Sequence, residues 1–213
     1  MLKKIYKNVF IGENVHIGEF VVIGEPPPGY NDGELKTIIG DNCNIRSHTV
    51  IYAGNVIGSN FQTGHGVNIR ELNEIGSNVS IGTHSIIEHH IKIEDNVRVH
   101  SNVFIPEYSE LKKGCWIGPS VTLTNVLHPL CPKTKECVRG AVIGKNTKIG
   151  ANVTVLPDIQ IGENCLIGAG SLVTKDLIEN NWVYAGVPAK KIKQIKELTC
   201  PYNLILKPYD IEV

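Results

Sequence analysis

Residues 84–90 read HSIIEHH and place three histidines and one glutamate within seven positions. Imidazoles this close can do two kinds of work. They can hold a metal ion, or one can take a proton while its neighbours set its tautomer and basicity. His84 and His89 form a His-x4-His pair, which with His65 or His48 would be a zinc-ligand set that lowers the pKa of bound water to about 7. Two repeats of a stacked fold separate His48 from His84, about 9.6 Å at strand spacing, which is too far for one metal within one chain. The second kind of work needs a single histidine, with a carboxylate beside it to raise its basicity. A separate set, Cys131, Cys137 and Cys200, has the makings of a closed structural zinc site with His128 as a fourth donor. Which kind of chemistry applies depends on where the backbone puts these side chains.

The chain has 213 residues, with 21 basic and 21 acidic side chains. A balanced charge gives no field to recruit nucleic acid or an anionic membrane surface. No stretch approaches the ~20 apolar residues of a membrane span, and the opening MLKKIYKNVFIGENVHIG lacks the apolar core of a secretion signal. A cytoplasmic location is the expectation. No partner among nucleic acids or membranes is expected either.

The elements that must position the histidines come from a six-residue period. Aliphatic residues recur at Ile5, Ile11, Ile17 and Ile23, then without a break from Ile39 to Leu123, then from Ile143 to Val173. Of these 25 positions only Thr63 is not aliphatic. Repeats this short specify a β-solenoid in which each hexapeptide supplies one short strand and one turn. The aliphatic residue points inward, and the glycine that often follows it sits at a bend where φ > 0 is expected. Three hexapeptides per coil would make a triangular prism, all-β, of about eight coils.

The repeat domain spans residues 1–174, and two insertions interrupt it. Residues 25–37 (EPPPGYNDGELKT) are a turn-rich loop, and residues 124–142 (TNVLHPLCPKTKECVRGAV) form a longer one. Residues 175–213 follow the repeat. Within them VPAKKIKQIKEL reads as a short amphipathic C-terminal helix, with Ile192, Ile195 and Leu198 on one side and Pro188 at its start.

With 18 residues per coil, residues i and i+18 stack about 4.8 Å apart. One column then reads Glu71, His89, Glu107, Asn125, and its neighbour Arg70, Glu88, Pro106, Thr124. A third reads His48, Gly66, His84, Asn102, Ser120. His89 is thereby expected between two carboxylates.

The segments IGENVHIG, IGANVTVLP, IGENCLIGAGSLVTKD and VYAGVPAKKI resemble the hexapeptide-repeat acyltransferase family over nearly the whole chain. The resemblance implies a left-handed parallel β-helix, a homotrimer, and acyl-CoA bound in grooves between subunits. SIIEHHIKI further resembles a branch of sugar N- and O-acetyltransferases whose catalytic histidine falls on His89. The acidic residue that follows it in that branch is His90 here, so Glu107 or Glu71 would have to supply the carboxylate. HSNVFIPEYSELKKGCWIGPSVTLTNV resembles the nucleotide-amino-sugar N-acetyltransferases, whose sugar-lining residues fall on Asn102, Thr124 and Asn125.

The expected function is therefore acetyl-CoA-dependent N-acetylation of an amino sugar carried on UDP or dTDP. His89 would be the general base, with Glu107 and Asn102 completing the catalytic set. His65, Arg70, His84, Thr124 and Asn125 are the substrate-side expectations. Small residues at Gly150, Ala151, Gly168 and Ala169 would let a pantetheine arm approach the backbone, and Lys190 and Lys191 would reach its phosphates. Three alternatives stay open: O-acetylation of a sugar or serine, zinc-dependent hydration as in the gamma-class carbonic anhydrases, and a non-catalytic trimeric module.

Overall fold

The computed structural model describes residues 3–209 and shows a three-sided prism. The first face has nine strands, from Lys4–Ile5 to Leu172–Val173, and the second has eight, from Val9–Ile11 to Gln160–Ile161. The third face has ten, of which the coil strands run from His16–Ile17 to Leu166–Ile167. All coil strands pair in parallel, and the 18-residue register holds, with Asn68 opposite Ile86 and Ile86 opposite Phe104. The prism is a left-handed parallel β-helix. Among the described residues no helix is long and apolar enough to cross a membrane.

The inward column makes the core. Ile23, Ile45, Ile69, Ile87, Ile105 and Ile117 are fully buried, as are their counterparts up to Val173. Each such side chain contributes roughly 1.5–3 kcal/mol by leaving water. Cys43, Cys115 and Cys165 are buried among them as small hydrophobes, and burial pushes the Cys115 thiol up to about 12. Thr63, the polar exception, is buried too. Its hydroxyl accepts the Arg46 backbone N–H at 2.9 Å and pairs with the Thr49 hydroxyl at 3.2 Å.

The glycine after each aliphatic residue has a different role from the one expected. Positive φ falls two residues later, most often on asparagine, as at Asn14, Asn42, Asn60 and Asn78. Gly58 and Gly82 are needed because the next coil passes so close. A Cβ on Gly58 would lie 2.7 Å from the Ser77 nitrogen, and one on Gly82 would lie 2.3 Å from the His100 carbonyl carbon. Asparagine tolerates the left-handed region, whereas glycine tolerates a neighbouring backbone.

The expected C-terminal helix is mostly a strand. Lys190–Gln194 runs antiparallel to Trp182–Ala185, and only a single 3-10 turn, Ile195–Glu197, follows it. Trp182–Ala185 is the last rung of the third face and would leave an open edge of unpaired N–H and C=O groups. Pairing that edge outweighs the helical spacing of Ile192, Ile195 and Leu198.

Both insertions leave the prism at one place. Residues 25–37 follow the first-face strand Val22–Glu25, and 124–142 follow the first-face strand Thr122–Leu123. Each returns on the second face, so both depart from the edge between these two faces, here the first edge. The third edge joins the third face back to the first.

Candidate functional site

The first edge carries a connected set of polar side chains. Arg70 donates two hydrogen bonds to Glu71, at 2.9 and 3.0 Å, and a longer one to Glu88 at 3.4 Å. Its guanidinium also lies 5.1 Å from the Tyr52 ring centre. One coil up, His89 Nε2 stands 3.5 Å from Glu107 Oε1. Asn125 Nδ2 donates to the other Glu107 oxygen at 2.5 Å, and the long loop begins there. Arg139, near the far end of that loop, returns a backbone N–H to the Asn125 carbonyl at 3.0 Å.

His89 Nδ1 meets His90 Nδ1 at 2.8 Å, a contact that requires one shared proton. If His89 holds that proton, its Nε2 presents a lone pair beside Glu107 and can act as a base. The His90 ring lies 5.6 Å from Tyr108, and both residues have positive φ, 57° and 64°. They occupy the turn position that asparagine fills elsewhere in the repeat. The sequence reading gave His90 and Tyr108 no role, although their departure from asparagine at a left-handed position was visible in the six-residue pattern.

The carboxylates of this edge differ in their protonation. Burial pushes the Glu71 carboxyl up, but hydrogen bonds from Arg70 and its own backbone, with the charges of Arg70 and His89, together hold the group below its ordinary value. Burial raises Glu88, with Arg70 opposing and the nearby Glu107 charge reinforcing the rise. The hydrogen bond from Glu71 raises Arg70. Thus of the two carboxylates stacked around His89, Glu71 is turned to Arg70 and Glu107 faces the imidazole.

The expected site residues divide between two edges. Arg70, His89, Glu107, Thr124 and Asn125 lie at the first edge, while His65, His84, Asn102, Gly150, Ala151, Gly168 and Ala169 lie at the third. One first-face strand, Ile86–Ile87, separates His84 from His89. Five residues of near-extended chain put them roughly 15 Å apart. Asn102 is removed from His89 in the same way. A His84–His89 zinc pair therefore does not form within one chain, and among the described residues no three metal-ligating side chains converge.

At the third edge, Gly150 and Gly168 have a packing explanation. A Cβ on Gly150 would lie 2.6 Å from the Ala169 nitrogen, and one on Gly168 would lie 2.9 Å from the Ala185 Cβ. His65 Nδ1 pairs with the Ser47 hydroxyl at 2.8 Å, and the His84 ring packs over Gly66. Lys191 is held by Glu179 at 2.5 Å and lies over the Trp182 ring, so it is no free cation for a phosphate. Its neighbour Lys190 is exposed on the same strand.

The expected cysteine site is not assembled either. Cys131 and Cys137 are exposed in the long loop, which springs from the first edge. Cys200 belongs to a tail that runs along the third face, where the Tyr209 ring stacks on Lys148. Among the described residues no three His, Cys, Asp or Glu side chains gather where a metal could be held.

The first face, which lies between the two edges, has an unusual exterior. Beyond Lys4 on its first strand, its outward positions include Val22, Val50, Asn68, Ile86, Phe104, Thr122, Thr154 and Leu172, none of them charged. The second face presents Glu74, Lys92 and Glu110 at the equivalent positions.

The family model described as bacterial transferase hexapeptide (six repeats) matches residues 74–107 and 140–175. These two stretches, 70 of the 213 residues, are similar to the repeats of hexapeptide transferases. Among similar hexapeptide proteins, a galactoside O-acetyltransferase of Lactococcus lactis is 43% identical over 86 residues, 38% of this chain and 40% of that one. A galactoside O-acetyltransferase of Escherichia coli is 41% identical over 100 residues, 45% of this chain and 48% of that one. The chain thus spans less than half the length of these curated relatives. A crystal structure of a UDP-N-acetylglucosamine acyltransferase from Bacteroides fragilis shares the fold, with a TM-score of 0.50 and 22% identity, over 91% of this chain and 73% of that one.

Proposed function

We propose that this hexapeptide protein transfers an acetyl group from acetyl-CoA to an amino sugar carried on a nucleotide. The observation that carries the reading is the His89–Glu107–Asn125 chain of contacts at the foot of the long loop. An amine attacks a thioester only in its neutral form, so a base at the attacking nitrogen is useful and contributes typically 10²–10⁴-fold. His89 Nε2 takes the proton as nitrogen bonds to the acetyl carbon and the CoA thiolate leaves. Glu107, 3.5 Å away and braced by Asn125, stabilises the imidazolium. Backbone N–H groups at the cleft would stabilise the oxyanion.

The donor residues Gly150, Ala151, Gly168 and Ala169 sit at the other edge of the first face, so a complete site requires a second copy. A homotrimer packed around the first faces would bring the first edge of one protomer to the third edge of the next. Asn102 and His84 would then join His89 across the interface. A direct test mixes two defective proteins. His89→Gln and Asn102→Ala, each with little activity alone, should regain thiol release from acetyl-CoA when refolded together. If the mixed protein stays as inactive as its parents, the site is not shared between copies.

O-acetylation is the second reading, because two relatives, 43% and 41% identical over their matched stretches, are named galactoside O-acetyltransferases. His89 would then deprotonate a hydroxyl with the same geometry. Thiol release with UDP- and dTDP-amino sugars set against plain galactosides separates the two.

A further inference from the structure

The third edge holds a feature that none of the roles above uses. On this edge the residue after the inward column is glycine in coil after coil: Gly18, Gly64, Gly82, Gly118, Gly150 and Gly168. Only Arg46 and His100 interrupt the series before the C-terminal hairpin. They stand three coils apart, about 14 Å at strand spacing, with Gly64 and Gly82 between them. The result is a notch two coils tall, floored by backbone and bounded above and below by nitrogen-bearing side chains. A pocket of about 240 Å³ occupies it, and its lining includes Arg98 and Ser80 but no aspartate or glutamate.

The electrostatics of the notch set it apart. The chain has four arginines. Arg70 is clamped by two glutamates, and Arg139 caps backbone carbonyls of its own loop. Arg46 and Arg98 are exposed and form no ion pair among the described residues. Beside them the His100 ring packs at a tilt against Trp116, centres 4.5 Å apart, and its Nε2 is buried without a hydrogen-bond partner. Burial and, after it, the charge of Arg98 lower the His100 pKa and favour the neutral ring. A buried, unsatisfied ring nitrogen is costly unless a ligand satisfies it. Thr63, the one polar residue of the core column, also lies here, and its hydroxyl takes the Arg46 backbone N–H. The six-residue rule is thus broken at this height both inside and outside the prism.

We propose that the Arg46–Arg98–His100 notch binds the diphosphate of a nucleotide-linked acceptor. Guanidinium forks match phosphate oxygens in pairs, and two of them lining one pocket with a glycine floor suit a ligand with two adjacent phosphates. The glycines let that ligand lie against the backbone. Arg70, the cation first expected to do this work, already has two carboxylate partners. The naming of the ligand as the acceptor rests on the acyl-transfer reading, whereas diphosphate binding does not.

Calorimetric titration of the full chain with inorganic pyrophosphate, UDP, uridine and CoA tests this without turnover. Pyrophosphate and UDP should bind, and uridine should bind at least tenfold more weakly than UDP. Arg46→Gln with Arg98→Gln should weaken pyrophosphate and UDP by tenfold or more. The Arg46→Lys, Arg98→Lys pair, which keeps the charges and guards against misfolding, should lose less. Wild-type protein that ignores pyrophosphate, or Gln variants that bind it as before, would overturn the proposal. CoA that loses as much affinity as UDP in the Gln variant would move the notch to the donor and overturn the acceptor assignment. Thiol-release assays are independent, so failure of acetyl transfer and failure of diphosphate binding remain separate results.

Discussion

At the first edge Arg70 lies between Glu71 and Glu88, and His89 beside Glu107; at the third edge Arg46 and Arg98 border two glycines and meet no carboxylate. The backbone is the same at both edges, coil for coil. What differs is whether the stacked side chains satisfy one another. Where they do, the column holds itself rigid and can orient a reacting group. Where they do not, the unpaired charge is left for something outside the chain. In a solenoid whose every rung looks alike, the partners stacked 18 residues away decide the use of a side chain.

Five changes would break or sharpen this contrast. The largest concerns His89. Replacing it with Gln keeps reach and polarity but removes the titrating ring, and kcat/KM for acetyl transfer should fall about 10²–10⁴-fold with an unchanged melting midpoint. Next, Arg70→Met leaves Glu71 and Glu88 without their cation, and urea unfolding at pH 7 should show a loss of about 2–3 kcal/mol. The pH sign follows from Glu71, whose folded pKa is depressed. Its stabilisation is complete above the ordinary value of 4.5 and is lost as pH falls through the folded value, so the deficit of the variant should close on acidification.

Converting the open edge into a closed one should have a middling effect. Ser80 pairs in register with Arg98, so Ser80→Glu would supply the missing carboxylate and lower pyrophosphate affinity about tenfold in calorimetry. A smaller effect is expected at Tyr108. Its φ of 64° suits asparagine better than a bulky ring, and Tyr108→Asn should raise thermal stability by about 1 kcal/mol. The smallest is Glu88→Gln. Because burial raises the Glu88 pKa, ionised Glu88 weakens the fold at neutral pH. The variant should gain a few tenths of a kcal/mol at pH 7, a gain that fades below the ordinary value of 4.5 where Glu88 is protonated in both states.

The solenoid was legible because one aliphatic residue in six must point inward. That period alone fixes neither three sides nor the left hand, and the 18-residue stacking rule holds only with three strands per coil. That rule put Glu107 next to His89 and Asn125 next to Glu107, as the side chains have it. Three things lay beyond it. A column names neighbours above and below but says nothing about the other edges, so His84 and Asn102 were grouped with His89 although a whole face lies between. Side-chain choice among several partners, such as Glu71 turning to Arg70, depends on reach and direction. The C-terminal segment obeys the need of an open sheet edge, which no local spacing of Ile192, Ile195 and Leu198 reveals.

Both inserted loops spring from a single ridge, with His89 on the coils between them. Lengthening, trimming or exchanging either segment disturbs no rung of the ladder, because each coil touches only the coils next to it. On the acyl-transfer proposal, transplanting residues 26–36 or 126–138 alone should therefore change acceptor preference, because Asn125, Glu107 and His89 stay in a frame that never has to refold.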